Sequence, residues 1–123
     1  IDTLWRVQDL FPCPVAVEGL YPRADRPQLM STWAHYERVL LAGVPLAIDL
    51  SHLHIVATHE GRNDDLARAL VASPTTLEVH LSANEGVRDS HDLLTEQPWW
   101  WDLLHHVSPT ATVFTEGNQL RPR

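Results

Sequence analysis

Leu46-Ala47-Ile48-Asp49-Leu50-Ser51-His52 sets an apolar, β-compatible triplet directly against an acid, with an imidazole three residues further on. A short apolar run that ends in a carboxylate fits a strand covered on its faces, with its polar residue at the C-terminal rim of a sheet. The pattern recurs on both sides. Val15-Ala16-Val17 ends in Glu18, Leu77 to Leu81 carries His80, and Thr112-Val113-Phe114 leads through Thr115 to Glu116. All four runs are expected as buried strands.

The stretches between them carry helical spacing. Met30 to Ala42 places Trp33, Tyr36, Val39 and Leu40 on one face, and Asp64 to Val71 does the same with Leu66, Ala69 and Leu70. Trp99 to His106 is expected as a further helix, and Leu4, Val7 and Leu10 give the opening segment a similar period. Punctuation agrees, since Gly43 suits a helix stop, Ser73-Pro74 ends the next helix, and Pro109 precedes the last strand. Helices alternating with strands predict an α/β fold with a parallel sheet and right-handed crossovers. One domain covers residues 1–123.

Composition narrows the function classes. The formal charge is −7 with no lysine, which disfavours a broad phosphate-binding surface and makes nucleic acid an unlikely partner. A membrane is not expected as a partner either, because no apolar run approaches the roughly 20 residues of a membrane helix. The lone Cys13 excludes an intramolecular disulfide and fits a reducing compartment, the cytoplasm by default. Ile1-Asp2-Thr3-Leu4-Trp5-Arg6 has neither the basic start nor the apolar run of a secretory signal, and it suggests an excerpt from a longer protein.

In a closed barrel alternate strand residues point inward, which puts Glu18 with Ala16, Asp49 with Ala47 and His80 with Glu78 on the inner face. The C-terminal rim is where barrel enzymes place reacting groups. One buried carboxylate is usually a paired structural charge; four ligand-type residues at equivalent strand ends would lose several kcal/mol of hydration each without cations. His52 is expected to swing back over the rim from a turn after Asp49. Asp89-Ser90-His91 offers a second acid and histidine directed to one side by an extended loop. Oxygen and nitrogen donors without thiolate suit iron, zinc or manganese, and the candidates Glu18, Asp49, His52, His80, Asp89, His91 and Glu116 exceed what one ion needs, implying two or three.

Other residues have plainer readings. His54 is as well explained by solvent or an outer role, and His35 and His59 by the surface; His105-His106 suits a helix C-terminus. Trp99-Trp100-Trp101 is expected to anchor a helix, Glu78 to be a buried pair or an outer partner, and Cys13 to be buried and inert. Asn84 and Asn118 fall in rim loops, where they could orient substrate.

At these residues the sequence resembles the xylose-isomerase-like barrel superfamily across nearly its whole length. "LEVHLSANEG", "RDSHDLL", "PWWWDLL" and "VFTEGN" are most similar to the multinuclear non-heme iron-dependent oxidative enzymes that modify ribosomal peptides, the methanobactin-biosynthesis type. "VAVEGLYP" and "LAIDLSHLHIV" resemble that family's fifth and sixth strands. The resemblance implies the C-terminal half, strands five to eight, of a (β/α)8 TIM barrel. It further implies iron held by Glu18, Asp49, His80, Asp89, His91 and Glu116, oxidation of a peptide substrate at cysteine, and catalytic roles for Glu18, Asp49 and His80, with Glu18 as the bridging ligand. One departure matters. Where that family has asparagines after the aspartate, Ser51 and His52 stand here, and Asp49 with His52 resembles the D-x-x-H of endonuclease-IV-type zinc phosphodiesterases and of sugar isomerases and epimerases. A small-molecule substrate and zinc or manganese thus stay open beside peptide and iron. The family's first four strands have no counterpart in the chain; either they have been removed, or a partner protein or second half-barrel supplies them, and the half alone would be inactive.

Overall fold

A computed structural model describes residues 1–120 of the chain. The elements in order are α1 (Asp2–Asp9), β1 (Val17–Glu18), α2 (Trp33–Leu41), β2 (Leu46–Asp49), α3 (Leu50–Glu60), α4 (Asp64–Ala72), β3 (Thr76–Leu81), a 3-10 helix (Trp101–His106) and β4 (Thr112–Thr115). The four strands form one sheet in the order β1-β2-β3-β4, and every pairing is parallel. The α/β expectation therefore holds. Among the described residues no helix is long and apolar enough to cross a membrane.

Register fixes which side chains share a face. Glu18 lies beside Ala47, Ala47 beside Glu78, and Glu78 beside Thr112, while Asp49 lies beside His80 and His80 beside Phe114. The opposite face presents Leu46, Ile48 and Val79, all fully buried against Val39, Leu53, Val56, Leu70 and Val71 of the helices. Burying such a side chain contributes about 1.5–3 kcal/mol, so the apolar face holds the helices and leaves the polar face open. The polar face borders an open cavity of about 320 Å³ lined by Ala16, Glu18, Ala47, Glu78 and His80.

Several expectations need correction. The first strand is shorter than Val15 to Val17 suggested, because the Gln8 side chain captures the Val15 N–H at 2.6 Å and leaves pairing to Val17 and Glu18. The α2 helix starts at Trp33, where Thr32 caps it by accepting from the His35 N–H. Trp101 to His106 winds as a 3-10 helix, not an α-helix, with Trp101 bonding back to Pro98 and Leu103 to Trp100. The two edge strands are not buried as expected: β1 is half-buried at Val17 and exposed at Glu18, and all four residues of β4 are exposed. Ala69 faces out, and the buried side of α4 is Ala67, Leu70 and Val71. Cys13 is exposed rather than buried.

The largest omission is α3. Its buried residues, Leu50, Ser51, His52, Leu53, Ile55 and Val56, run almost continuously around the helix and carry no amphipathic stripe. Asp49 ends β2 and also caps α3, so the strand passes into the helix without a loop.

Gly19 closes the turn after β1 where the fully buried Tyr36 ring leaves no room, and a Cβ there would land on the ring's Cε1, Cζ and hydroxyl. Tyr36 cannot step aside, because its hydroxyl donates to the Leu20 carbonyl at 2.6 Å. Gly19→Ala is expected to lower unfolding free energy by about 1–3 kcal/mol, the usual result of overpacking. Urea denaturation of the two proteins checks it.

Candidate metal centre

The structure brings Glu18, Asp49, His52, His80, Asp89, His91 and Glu116 to one edge of the sheet. Neighbouring members are joined in a single chain of carboxylate–imidazole contacts: Glu18 to His80 at 4.0 Å, His80 to Glu116 at 3.5 Å, Glu116 to His91 at 3.9 Å, and His91 to Asp89 at 3.1 Å. Asp89 then reaches His52 at 2.9 Å, and His52 reaches Asp49 at 3.4 Å.

Asp49 stands at the centre of the arrangement, its side chain 1% exposed. Its Oδ1 accepts from the Ser51 N–H at 2.9 Å and the Ser51 hydroxyl at 2.6 Å, with the His52 N–H at 3.4 Å. Its Oδ2 is buried and has no hydrogen-bond partner among the described residues. A helix N-cap thus consumes one carboxylate oxygen and aims the other away from the helix. Two groups of three ligand atoms lie within 4.8 Å of one another, Glu18 with Asp49 and His52, and Asp49 with His80 and Glu116. Asp49 belongs to both.

The two histidines offer opposite nitrogens. His52 donates from Nδ1 to the Gly19 carbonyl at 2.7 Å, a bond that fixes Nε2 as the nitrogen facing Asp49 and Asp89. His80 places Nε2 against Glu78 Oε2 at 3.0 Å, and its Nδ1 is buried without a hydrogen-bond partner. The Tyr21 ring packs on His52 with centroids 4.8 Å apart, and Phe114 packs on His80 at 4.4 Å, so each imidazole has an aromatic wall.

Electrostatics follow from this crowding. Burial opposes a charged His52, but the Asp89 hydrogen bond, the field of Asp49 and the Gly19 bond outweigh it and raise its pKa to about 9. Burial likewise opposes a charged Asp89, yet the hydrogen bond from His52 and the fields of His52 and His91 hold its carboxyl below the ordinary range. Burial first, and then the negative field of Asp49 and Glu18, keeps the Tyr36 phenol protonated far above its usual range.

The donor set fits divalent cations. Among the described residues four buried polar side-chain atoms lack hydrogen-bond partners, three of them in the centre (Asp49 Oδ2, His80 Nδ1 and Asp89 Oδ1) and the fourth the Ser82 hydroxyl, and each such atom costs about 1–3 kcal/mol unless a ligand satisfies it. All donors are oxygen or imidazole nitrogen, which suits iron, zinc or manganese. Cys13 is not among the clustered donors.

Three local readings change. His52 does not return from a turn; it sits in the first turn of α3, positioned by the Asp49 cap. The Asp89-Ser90-His91 loop does bring its two side chains together, at 3.1 Å, but with His91 at φ of 52°, a left-handed conformation uncommon outside glycine rather than extended backbone. The Ala83–Asp92 and Asp92–Gln119 bridges pin that loop. Asn84 is buried and structural, donating to the Ser51 carbonyl at 3.0 Å and accepting from the Gly86 N–H at 2.8 Å. His54 accepts from the Trp99 indole at 3.0 Å and lines a separate cavity of about 210 Å³. Sequence reasoning missed the Ser51 hydroxyl and the Gly19 carbonyl as orienting groups. An acid followed two residues on by serine is an N-cap signal that would have found Ser51, whereas a backbone carbonyl leaves no residue-type signal.

No protein-family model matches the chain, and no curated protein or solved structure matches it. The chemistry of the centre rests on its own geometry.

Proposed function

We propose that this chain carries the multinuclear metal centre of an oxidative enzyme, built on strands five to eight of a (β/α)8 barrel and acting on a cysteine of a ribosomal peptide. The observation that carries the metal reading is the presence of Asp49 in both ligand groups, with its Oδ2 buried and lacking a hydrogen-bond partner among the described residues. A carboxylate shared by two ions is the arrangement that holds two reactants at neighbouring positions. The choice of iron and of a peptide thiol comes from the resemblance of the "LEVHLSANEG", "RDSHDLL" and "VFTEGN" segments. The remaining strands come from further sequence of the same protein or from a partner chain, and the reducing cytoplasm suits the single thiol.

Bound iron would supply electrons for dioxygen reduction and a Lewis-acidic position for the substrate thiolate. The protein's own residues do the positioning. Asp49 would hold the two subsites together, the Gly19 carbonyl keeps His52 Nε2 turned towards Asp49 and Asp89, and Tyr21 and Phe114 pack on the faces of the two imidazoles. Glu18 belongs to the group with His52, so Glu18→Ala is expected to remove one bound ion and spare the ion held with His80. Elemental analysis after aerobic purification checks both points: iron with visible absorption and one ion lost on substitution support the reading, and unchanged metal content counts against it.

A zinc phosphodiesterase is the second reading, favoured by the D-x-x-H pairing of Asp49 with His52 at 3.4 Å. Here the ion would lower the pKa of bound water for attack on phosphorus. Colourless zinc-loaded protein that cleaves a phosphodiester would select it over oxidation.

A further inference from the structure

We propose that Glu78 is the positioning residue for the His80 subsite: by accepting the Nε2–H it commits that imidazole to binding metal through Nδ1. The inference rests on the metal-dependent reading above and deepens it.

Residues two apart on a strand share a face, and Glu78 and His80 both point to the polar side of β3. An ionised carboxylate only accepts, so the 3.0 Å contact between Glu78 Oε2 and His80 Nε2 keeps the proton on Nε2. When the ring binds a cation in its neutral form, its lone pair then lies on Nδ1. That nitrogen is buried, has no hydrogen-bond partner, and faces Glu116 Oε1 at 3.5 Å and Glu18 Oε1 at 4.0 Å. Asp49 and Glu116 each offer a ligand atom within 4.8 Å of a His80 ring nitrogen. Glu78 itself is on the Nε2 side of the ring and in neither ligand group. It is also 48% exposed on its side chain, so a role in packing does not account for it.

A carboxylate behind a ligating histidine raises ligand basicity and fixes the ring, and its loss typically lowers metal affinity about 10–100-fold. His52 follows the same logic with the Gly19 carbonyl in place of a carboxylate, and presents the other nitrogen. The result is two imidazoles that turn opposite nitrogens towards the acids of the centre, His52 Nε2 to Asp49 and Asp89 and His80 Nδ1 to Glu116 and Glu18.

Zinc titration of the wild-type chain, Glu78→Leu and Glu78→Gln, with histidine ¹⁵N NMR of each zinc-loaded protein, tests this. Wild type is expected to bind through His80 Nδ1 with Nε2 protonated. Glu78→Leu should weaken one binding event about 10–100-fold, while Glu78→Gln, which keeps an acceptor oxygen, should restore most of that loss. Ligation of His80 through Nε2 would overturn the proposal, as would equal losses in the two variants, the outcome expected of a direct ligand. Unchanged affinity in Glu78→Leu sinks this inference alone. Wild-type protein that binds no zinc removes the metal reading with it. Thermal melts of the metal-free variants show whether a loss of binding reflects unfolding.

Discussion

Asp49→Asn is expected to strip the metal from both subsites while leaving the chain folded. The prediction separates two jobs carried by one side chain. As N-cap of α3, Asp49 uses Oδ1 to accept from Ser51 and His52; as candidate ligand, it uses Oδ2, which faces His52 Nε2 at 3.4 Å and has no hydrogen-bond partner among the described residues. Asparagine is about as good an N-cap as aspartate, so the helix start survives the exchange at little cost. The anionic oxygen does not survive, and both ligand groups lose the member they have in common. Removing an outer partner already costs about 10–100-fold in affinity, so loss of a shared ligand should exceed about 100-fold at each subsite. Asp49→Ala should behave identically towards metal and additionally lose about 1 kcal/mol of stability with the cap. Metal analysis beside urea denaturation reads both quantities. Retention of one ion at wild-type affinity in Asp49→Asn would show that Asp49 is not shared. The resemblance implies Glu18 as the bridge; here the role is proposed for Asp49, the side chain common to both groups.

The metal-free chain is expected to grow less stable as pH rises from neutrality towards 10. His52 has a pKa raised from 6.5 to about 9 in the folded chain, so it binds its proton more tightly folded than unfolded. Its stabilisation is complete below about 6.5 and is lost as pH passes through about 9, a change on the order of 3 kcal/mol at about 1.4 kcal/mol per pKa unit. The depressed carboxyl of Asp89 gives the acid limb of the same ion pair: its contribution is present above the ordinary carboxyl range and disappears as pH falls through the lowered value. Metal reverses the alkaline trend. A cation on Nε2 replaces the proton, so apparent affinity should climb by up to about one logarithmic unit per pH unit until His52 is neutral. Urea denaturation in chelator across this pH range, repeated with His52→Gln, provides the check. A stability that rises between neutrality and pH 9, or an alkaline loss that persists unchanged in His52→Gln, would refute the assignment.

Much of the fold was legible because its signals are local. Val39, Leu46, Ile48, Leu70 and Val79 are apolar at strand or helix spacing, and glycine or proline stands where each helix stops. The rim residues Glu18, Asp49, His80 and Glu116 were legible for a related reason: polar groups that end apolar strands have one edge of the sheet to occupy. The α3 helix escaped because burial on nearly all sides erases the periodicity by which a helix is recognised. The exposed β4 escaped because Thr112-Val113-Phe114 has the same composition whether or not a helix covers it.

Chain order and residue type were enough for the parallel α/β arrangement and for the set of acids and imidazoles gathered at its C-terminal edge, since strand period and crossover handedness leave few alternatives. Packing in three dimensions chose the atoms. Asp49 became common to two ligand groups, His52 turned Nε2 inward and His80 turned Nδ1, because the α3 cap, the Gly19 carbonyl and the Glu78 carboxylate each claimed one polar atom of a group that has two. Such a choice depends on distances across the fold, and residue spacing along the chain does not encode it.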